Sequence, residues 1–332
     1  MPKCINFHTL NMLVRVLILG YNIKMIFKVD KTIATKKTQL LSYFKDRGNE
    51  SLEEISRDYS TKQFKKKASE INKAIIETRN KLLLTISQKS VEQEWSRIEL
   101  LKSILLVTYC SYVTMIDFRN LIWTYDYMSF SRRIGELWEP FCKICFEYSV
   151  NKLDMFIPPL FSDVKKVMSK EIEDYIEKLT ITNTEKAELK KYYEKVWSMV
   201  TSGEVKLELD LHFVQNDQFY NIDFKSGFGS NEKGNTNRLL LVAMIYKNLE
   251  TNYNCFLFVR SKEEENNQYF RQLKDSSVWT AFCGDNTYEE IKIFTGFNLK
   301  EWIKKNIDWK TDLQKETIKQ FEKNNLLKYL VW

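Results

Sequence analysis

Proline and glycine are scarce, four and nine residues in a chain of 332. That suits long helices better than a strand-rich sandwich, which needs turn residues at short intervals. Histidine is scarcer still. With only His8 and His212 to add to the Cys142/Cys145 CxxC pair, and about four ligands needed for zinc, that pair reads as two buried thiols on one helical face. The six cysteines, Cys4, Cys110, Cys142, Cys145, Cys255 and Cys283, are scattered in a way that fits reduced thiols and a cytoplasmic location. Long apolar runs are missing too. The most apolar early segment, residues 10–27, carries Arg15 and Lys24; it is too short and interrupted to span a bilayer, and no small-residue cleavage site follows it. No membrane partner is expected. Residues 1–24 are either part of the native protein or an upstream extension before Met25, and both readings stay open.

What is present is a globular composition, 44% hydrophobic and 29% charged, with a net charge of +7. The basic excess is compatible with a polyanion partner. Apolar periodicity predicts a short helix over 36–44, a long one over 60–88 and a third, increasingly apolar, over 90–115. The long helix opens with the basic cluster Lys62, Lys65, Lys66 and Lys67, either a solvated face or a row of phosphate contacts. Residues 129–150 form a further helix with Pro140 inside it, a kink or a restart. A break over 151–159 leads to two charged amphipathic helices, 162–179 and 183–199. The expected organisation is therefore a helical N-terminal region, 25–128, and an α/β core, 129–285, carrying a helical insertion at about 160–200. A helical C-terminal region, 286–332, follows, with Trp302, Trp309 and Trp332 as packing residues.

The informative stretch is 207–238. Two runs, KLELDLHFV and QFYNIDFKS, alternate apolar and polar residues around Asn216-Asp217, which predicts a hairpin with a two-residue turn. In that register partner numbers sum to 433. Leu209, Leu211 and Phe213 then face Phe224, Ile222 and Tyr220 on one side. On the other, His212 faces Asn221, Asp210 faces Asp223 and Glu208 faces Lys225. Opposed aspartates repel, and a hard divalent cation such as Mg²⁺ relieves that repulsion. Lys225 shares their face and can orient a water towards phosphorus. The plain alternative is a solvent-facing polar stripe with an ordinary Glu208/Lys225 ion pair.

An Asp on one strand followed by Asp-x-Lys on the next, here Asp210 and Asp223-Phe224-Lys225, resembles the PD-(D/E)xK nuclease core, whose largest group is the type II restriction endonucleases. Leu209 stands where many members have Pro. The resemblance covers about 150 residues, from Arg132 to roughly Cys283. It implies a mixed sheet flanked by helices, and the order helix, hairpin, helix, strand, helix, strand is also legible from periodicity. Asp210 and Asp223 would hold Mg²⁺ with the Phe224 carbonyl, and Lys225 would position the water. The pattern Arg133, Gly135 and Glu139 resembles the family's opening helix, which favours Glu139 over Glu136 as an auxiliary acid. Arg132, Arg133, Lys233 and Arg238 would contact DNA, the last two from the glycine-containing loop 226–238, with Asn235 or Thr236 capping a buried helix over 237–250. The implied function is a site-specific double-strand DNA endonuclease, a homodimer with a companion DNA methyltransferase, leaving 5′-phosphate ends. A structure-specific or repair nuclease with the same core, or a non-catalytic helical nucleic-acid-binding protein, are the alternatives.

Overall fold

The computed structural model describes residues 28–200, 205–229, 231–249 and 252–332. The extension reading for 1–24, the apolar segment 10–27, Cys4 and His8 lie outside them. The described residues begin with three long helices: α1 (Lys37–Asp58), α2 (Phe64–Glu92) and α3 (Arg97–Ile122). The first runs well past the expected end at Phe44 because Gly48 lets it press against α3. A Cβ there would stand 2.5 Å from Phe118 Cε2. The third begins later than expected, at a reciprocal cap in which Ser96 and Glu99 satisfy each other's backbone amides, an arrangement that fixes a helix start. Ser90 instead lies within α2. Every residue from Ser103 to Asn120 is buried. Among the described residues α3 alone is long and apolar enough to cross a membrane, and 78% of its most apolar window is buried inside the molecule.

Helix α4 (Tyr127–Glu147) runs unbroken through Pro140, so of the two readings there, kink or restart, the restart does not occur. Two insertion helices follow as predicted, α5 (Phe161–Lys178) and α6 (Asn183–Val200). Inside the stretch expected to be a plain break, Asp154–Met155 forms a short edge strand, β1, antiparallel to β2 (Leu211–Gln215). The sheet continues through β3 (Gln218–Lys225), β4 (Tyr253–Val259) and β5 (Thr280–Cys283) in the order β1-β2-β3-β4-β5. The β2–β3 pair is antiparallel, and β3–β4 and β4–β5 are parallel. This is a helix-rich α/β fold on a mixed five-stranded sheet.

Both faces of the sheet are covered, and β4 shows why its sequence is apolar throughout. Phe258 joins a large core with Phe213, Ile222 and Phe224. Its neighbours Leu257 and Val259 join a second core, built from α7 (Lys233–Lys247), α8 (Gln268–Lys274) and part of α5. The large core also takes in α1, α2, α3, α4 and the C-terminal helices α9 (Asp285–Thr295), α10 (Leu299–Asn306), α11 (Trp309–Asp312) and α12 (Lys315–Lys323). Trp302, Trp309 and Trp332 are buried in it, as expected, and so are Cys142 and Cys145. N-terminal helices, sheet and C-terminal helices thus share one apolar interior.

The hairpin keeps the predicted register over half its length. Leu211↔Ile222, His212↔Asn221 and Phe213↔Tyr220 are partners, and Asn216 and Asp217 both adopt the left-handed conformation that a tight primed turn demands, with φ of 52° and 59°. Pairing stops at Leu211. The expected partners Leu209/Phe224, Asp210/Asp223 and Glu208/Lys225 are not in the ladder; Leu209 turns into the second core and Glu208 is exposed.

Candidate active site

Two side-chain hydrogen bonds make the chain leave the ladder. The Phe224 amide, just beyond the last pair, donates to Asp210 Oδ2 at 2.7 Å. The Leu209 amide donates to His212 Nε2 at 2.9 Å. His212 Nδ1 lies 2.7 Å from Asn221 Oδ1, so the ring is a neutral tautomer that donates from Nδ1 and accepts at Nε2. Burial lowers its pKa, which favours that neutral form. His212 therefore shapes the bend at Leu209 and Asp210.

The bend brings Asp210 to the carboxyl end of β3, the end at which parallel sheets hold ligands. Asp223 is buried there, its side chain 2% exposed, and its partners are cations: Lys225 is ion-paired with Oδ2, and an Arg238 terminal nitrogen lies 3.8 Å from Oδ1. Burial pushes the Asp223 carboxyl up to about 6, opposed by the Lys225 ammonium and reinforced by the Asp210 carboxylate. Burial works to lower Lys225, yet Asp223, Asp210 and Glu139 together hold its pKa above the ordinary lysine value. Lys225 is thus an ammonium at neutral pH, and it also donates to the Phe224 carbonyl at 3.1 Å.

Helix α4 contributes the opposite wall. Trp138 packs edge-on against Phe224, ring centroids 5.9 Å apart, and Gly135 allows close approach, since a Cβ there would lie 2.9 Å from Ser226 Cβ. Ser226 Oγ in turn accepts from Arg260 Nε and Nη2 at 3.0 and 2.9 Å. Glu139 faces the site through Lys143, whose ammonium lies 2.8 Å from Glu139 Oε1 and 3.6 Å from Asp210 Oδ1. Glu136 points elsewhere, paired with Arg132 and Arg133 at 2.9 and 3.0 Å. Sequence reasoning missed Lys143; its signal was the spacing, four residues after Glu139 and so on the same helical stripe.

The loop after Lys225 is shorter than expected. Helix α7 starts at Lys233 and ends at Lys247, not over 237–250, which puts Lys233, exposed, in its first turn and Arg238 on its second. Neither Asn235 nor Thr236 caps it. Nor is α7 buried all round: Leu239, Val242, Ala243 and Tyr246 pack inward, while Leu241 and Met244 are exposed.

Three carboxylates and three cations therefore interleave at one end of the sheet. Among the described residues no group of three or more His, Cys, Asp and Glu side chains is gathered tightly enough to hold a metal ion by itself. Mg²⁺ asks for less, since it is typically held by one or two carboxylates and keeps several waters. Asp210, Asp223 and the Phe224 carbonyl are hard oxygen donors of that kind. The Lys225 ammonium already bridges the Asp223 carboxylate and that carbonyl, so the cradle favours a cation. Comparison of the chain with protein-family models, with curated proteins and with solved structures found no match.

Proposed function

We propose that the chain is a Mg²⁺-dependent nuclease with a PD-(D/E)xK core, a site-specific endonuclease of restriction type acting on double-stranded DNA. The observation that carries this reading is the convergence of Asp210, buried Asp223 and Lys225 at the carboxyl end of β3, opposite Glu139. Asp210 and Asp223, with the Phe224 carbonyl, would hold Mg²⁺, which when bound polarises the scissile phosphate and lowers the pKa of water. Lys225, fixed as an ammonium, donates hydrogen bonds to the attacking water and offsets charge gathering on phosphorus. Water adds to phosphorus as the bond to the 3′ oxygen breaks, leaving a 5′-phosphate and a 3′-hydroxyl. Glu139 holds Lys143 against Asp210 and so keeps that carboxylate oriented. Arg238 and Lys233, on the first turns of α7, lie on the path of the flanking phosphates, with Arg132 and Arg133 on the α4 side. One such site per chain cuts one strand, so cleavage of both calls for two copies about a twofold axis on a palindromic sequence.

Incubating plasmid DNA with the protein and Mg²⁺ tests the proposal. Discrete fragments are expected, with no cleavage by Lys225→Ala and duplex binding in Ca²⁺ retained. Cleavage by Lys225→Ala at the native rate would refute the assignment. Dependence on branched substrates would point to a repair enzyme, and binding without cleavage to a nucleic-acid-binding protein.

A further inference from the structure

Away from Asp223, the last turn of α3 carries a positive charge that the fold leaves without a counter-ion. Arg119 is 5% exposed. Its guanidinium carbon lies 4.1 Å from the ring centroids of both Trp123 and Tyr125, and its Nη1 is buried with no hydrogen-bond partner. Among the described residues no carboxylate lies within ion-pair distance of it. The Asp126 carboxylate favours its charge but is engaged at the start of α4, accepting from the Ser129 amide at 2.8 Å. Aromatic faces attract a cation, but they do not neutralise it.

More positive charge surrounds the same tryptophan. Lys65, exposed on the first turn of α2, stands 5.5 Å from the Trp123 centroid, and the Phe64 ring meets Trp123 edge-on at 5.4 Å. From α4, Arg133 reaches the neighbouring Tyr125: burial pushes the Tyr125 hydroxyl pKa up, and the charges of Arg133 and Arg119, with a hydrogen bond to Arg133, oppose that rise. Among the described residues its one anionic partner is Glu136, which Arg132 shares. Six residues along α4 separate Arg133 from Glu139, about 9 Å of helix rise. DNA advances about 3.4 Å per nucleotide along each strand, so the rise from Glu139 to Arg133 matches two to three nucleotides.

We propose that the Trp123 corner is a second anion subsite, taking a backbone phosphate of the duplex that is cut at Asp223 and Lys225. Lys65 and Arg133 make the contacts, and Arg119 is a positioning residue that fixes the Trp123 ring and adds charge from beneath it. This subsite rests on the nuclease reading and extends it to the helical N-terminal region, giving the lysines at the start of α2 a target.

The test is binding of a short DNA duplex to the full-length protein in Ca²⁺, followed by fluorescence anisotropy over a range of salt, with cleavage in Mg²⁺ measured alongside. The double variant Lys65→Gln/Arg133→Gln alters one exposed and one partly exposed side chain. It should bind about tenfold more weakly, and its slope of log affinity against log salt should fall by about two, one for each cation removed from the phosphate backbone. Arg119→Lys should keep most of the native slope and Arg119→Met should lose part of it; a purely structural arginine would change the melting temperature in both and the slope in neither. A double variant with native slope, in a protein that still cuts DNA, overturns the subsite and leaves the nuclease reading intact. A native protein that neither binds nor cuts duplex overturns both.

Discussion

Asp117 and Asp223 are both buried aspartates with carboxyl groups pushed up to about 6, in each case chiefly by burial, yet their surroundings differ in kind. Asp117, on α3, accepts from the Gln314 amide at 3.1 Å with both oxygens, and the Thr317 hydroxyl also favours its charged form. It caps the start of α12 through neutral, fixed donors, a structural role, and the charges of Lys45 and Glu316 act on it more weakly than those donors do. Asp223 faces the side chains of Lys225 and Arg238, which are 22% and 39% exposed, and has a second carboxylate beside it. Burial and a displaced pKa therefore do not mark a functional carboxylate by themselves. Cations in ion-pair contact with the carboxylate do.

The sharpest way to break that contrast is to neutralise each acid in turn. Asp223→Asn should slow plasmid cleavage at least about a thousandfold, about 4 kcal/mol of barrier, whereas Asp117→Asn should leave it within about twofold. Equal losses would erase the distinction.

A smaller effect, on stability, is one the two acids share. A carboxyl held near 6 in the folded state and near 3.9 when unfolded binds more protons folded across that window. Stability is then greatest below the unfolded value and declines as pH rises through about 6, by up to about 3 kcal/mol for a shift of this size. Asp117→Asn should remove that share of the decline. Urea midpoints compared at about pH 4 and about pH 8 would read it; an unchanged difference between the two would mean Asp117 does not carry the slope.

The smallest effect concerns the wall beside Asp223. Gly135→Ala places a methyl against Ser226 and should cost about 1–2 kcal/mol, together with some cleavage activity, because α4 must retreat from the end of β3. Combining it with Ser226→Gly should restore stability even though Arg260 then has no hydroxyl to donate to. A single variant as stable as the native protein would show that the approach is not tight.

Much of this architecture was legible in the residues. Alternation around Asn216-Asp217 predicted the turn and the register of Leu211, His212 and Phe213, because burial of one face punishes a slip. The same alternation continued through Leu209 and Glu208 and misled there. Nothing in a period-two pattern reveals that Asp210 will take the Phe224 amide itself, or that His212 will take that of Leu209, and those two hydrogen bonds end the ladder. The early start of α7 was hidden because Glu232, at its N-cap, makes no side-chain capping hydrogen bond. Lys143 went unnoticed although its spacing from Glu139 was readable. Arg119 could not have been found, since only the packed structure brings Trp123, Tyr125 and Arg133 around it.

The final two residues reach further than their position implies. Arg260 donates to the Val331 carbonyl at 2.7 Å with one arm and to Ser226 with the other, while the Trp332 ring packs among Phe141, Tyr112 and Trp309. A substitution that shrinks the Trp332 ring would therefore loosen the hold of Val331 on Arg260, and with it the support under Ser226, the residue next to Lys225.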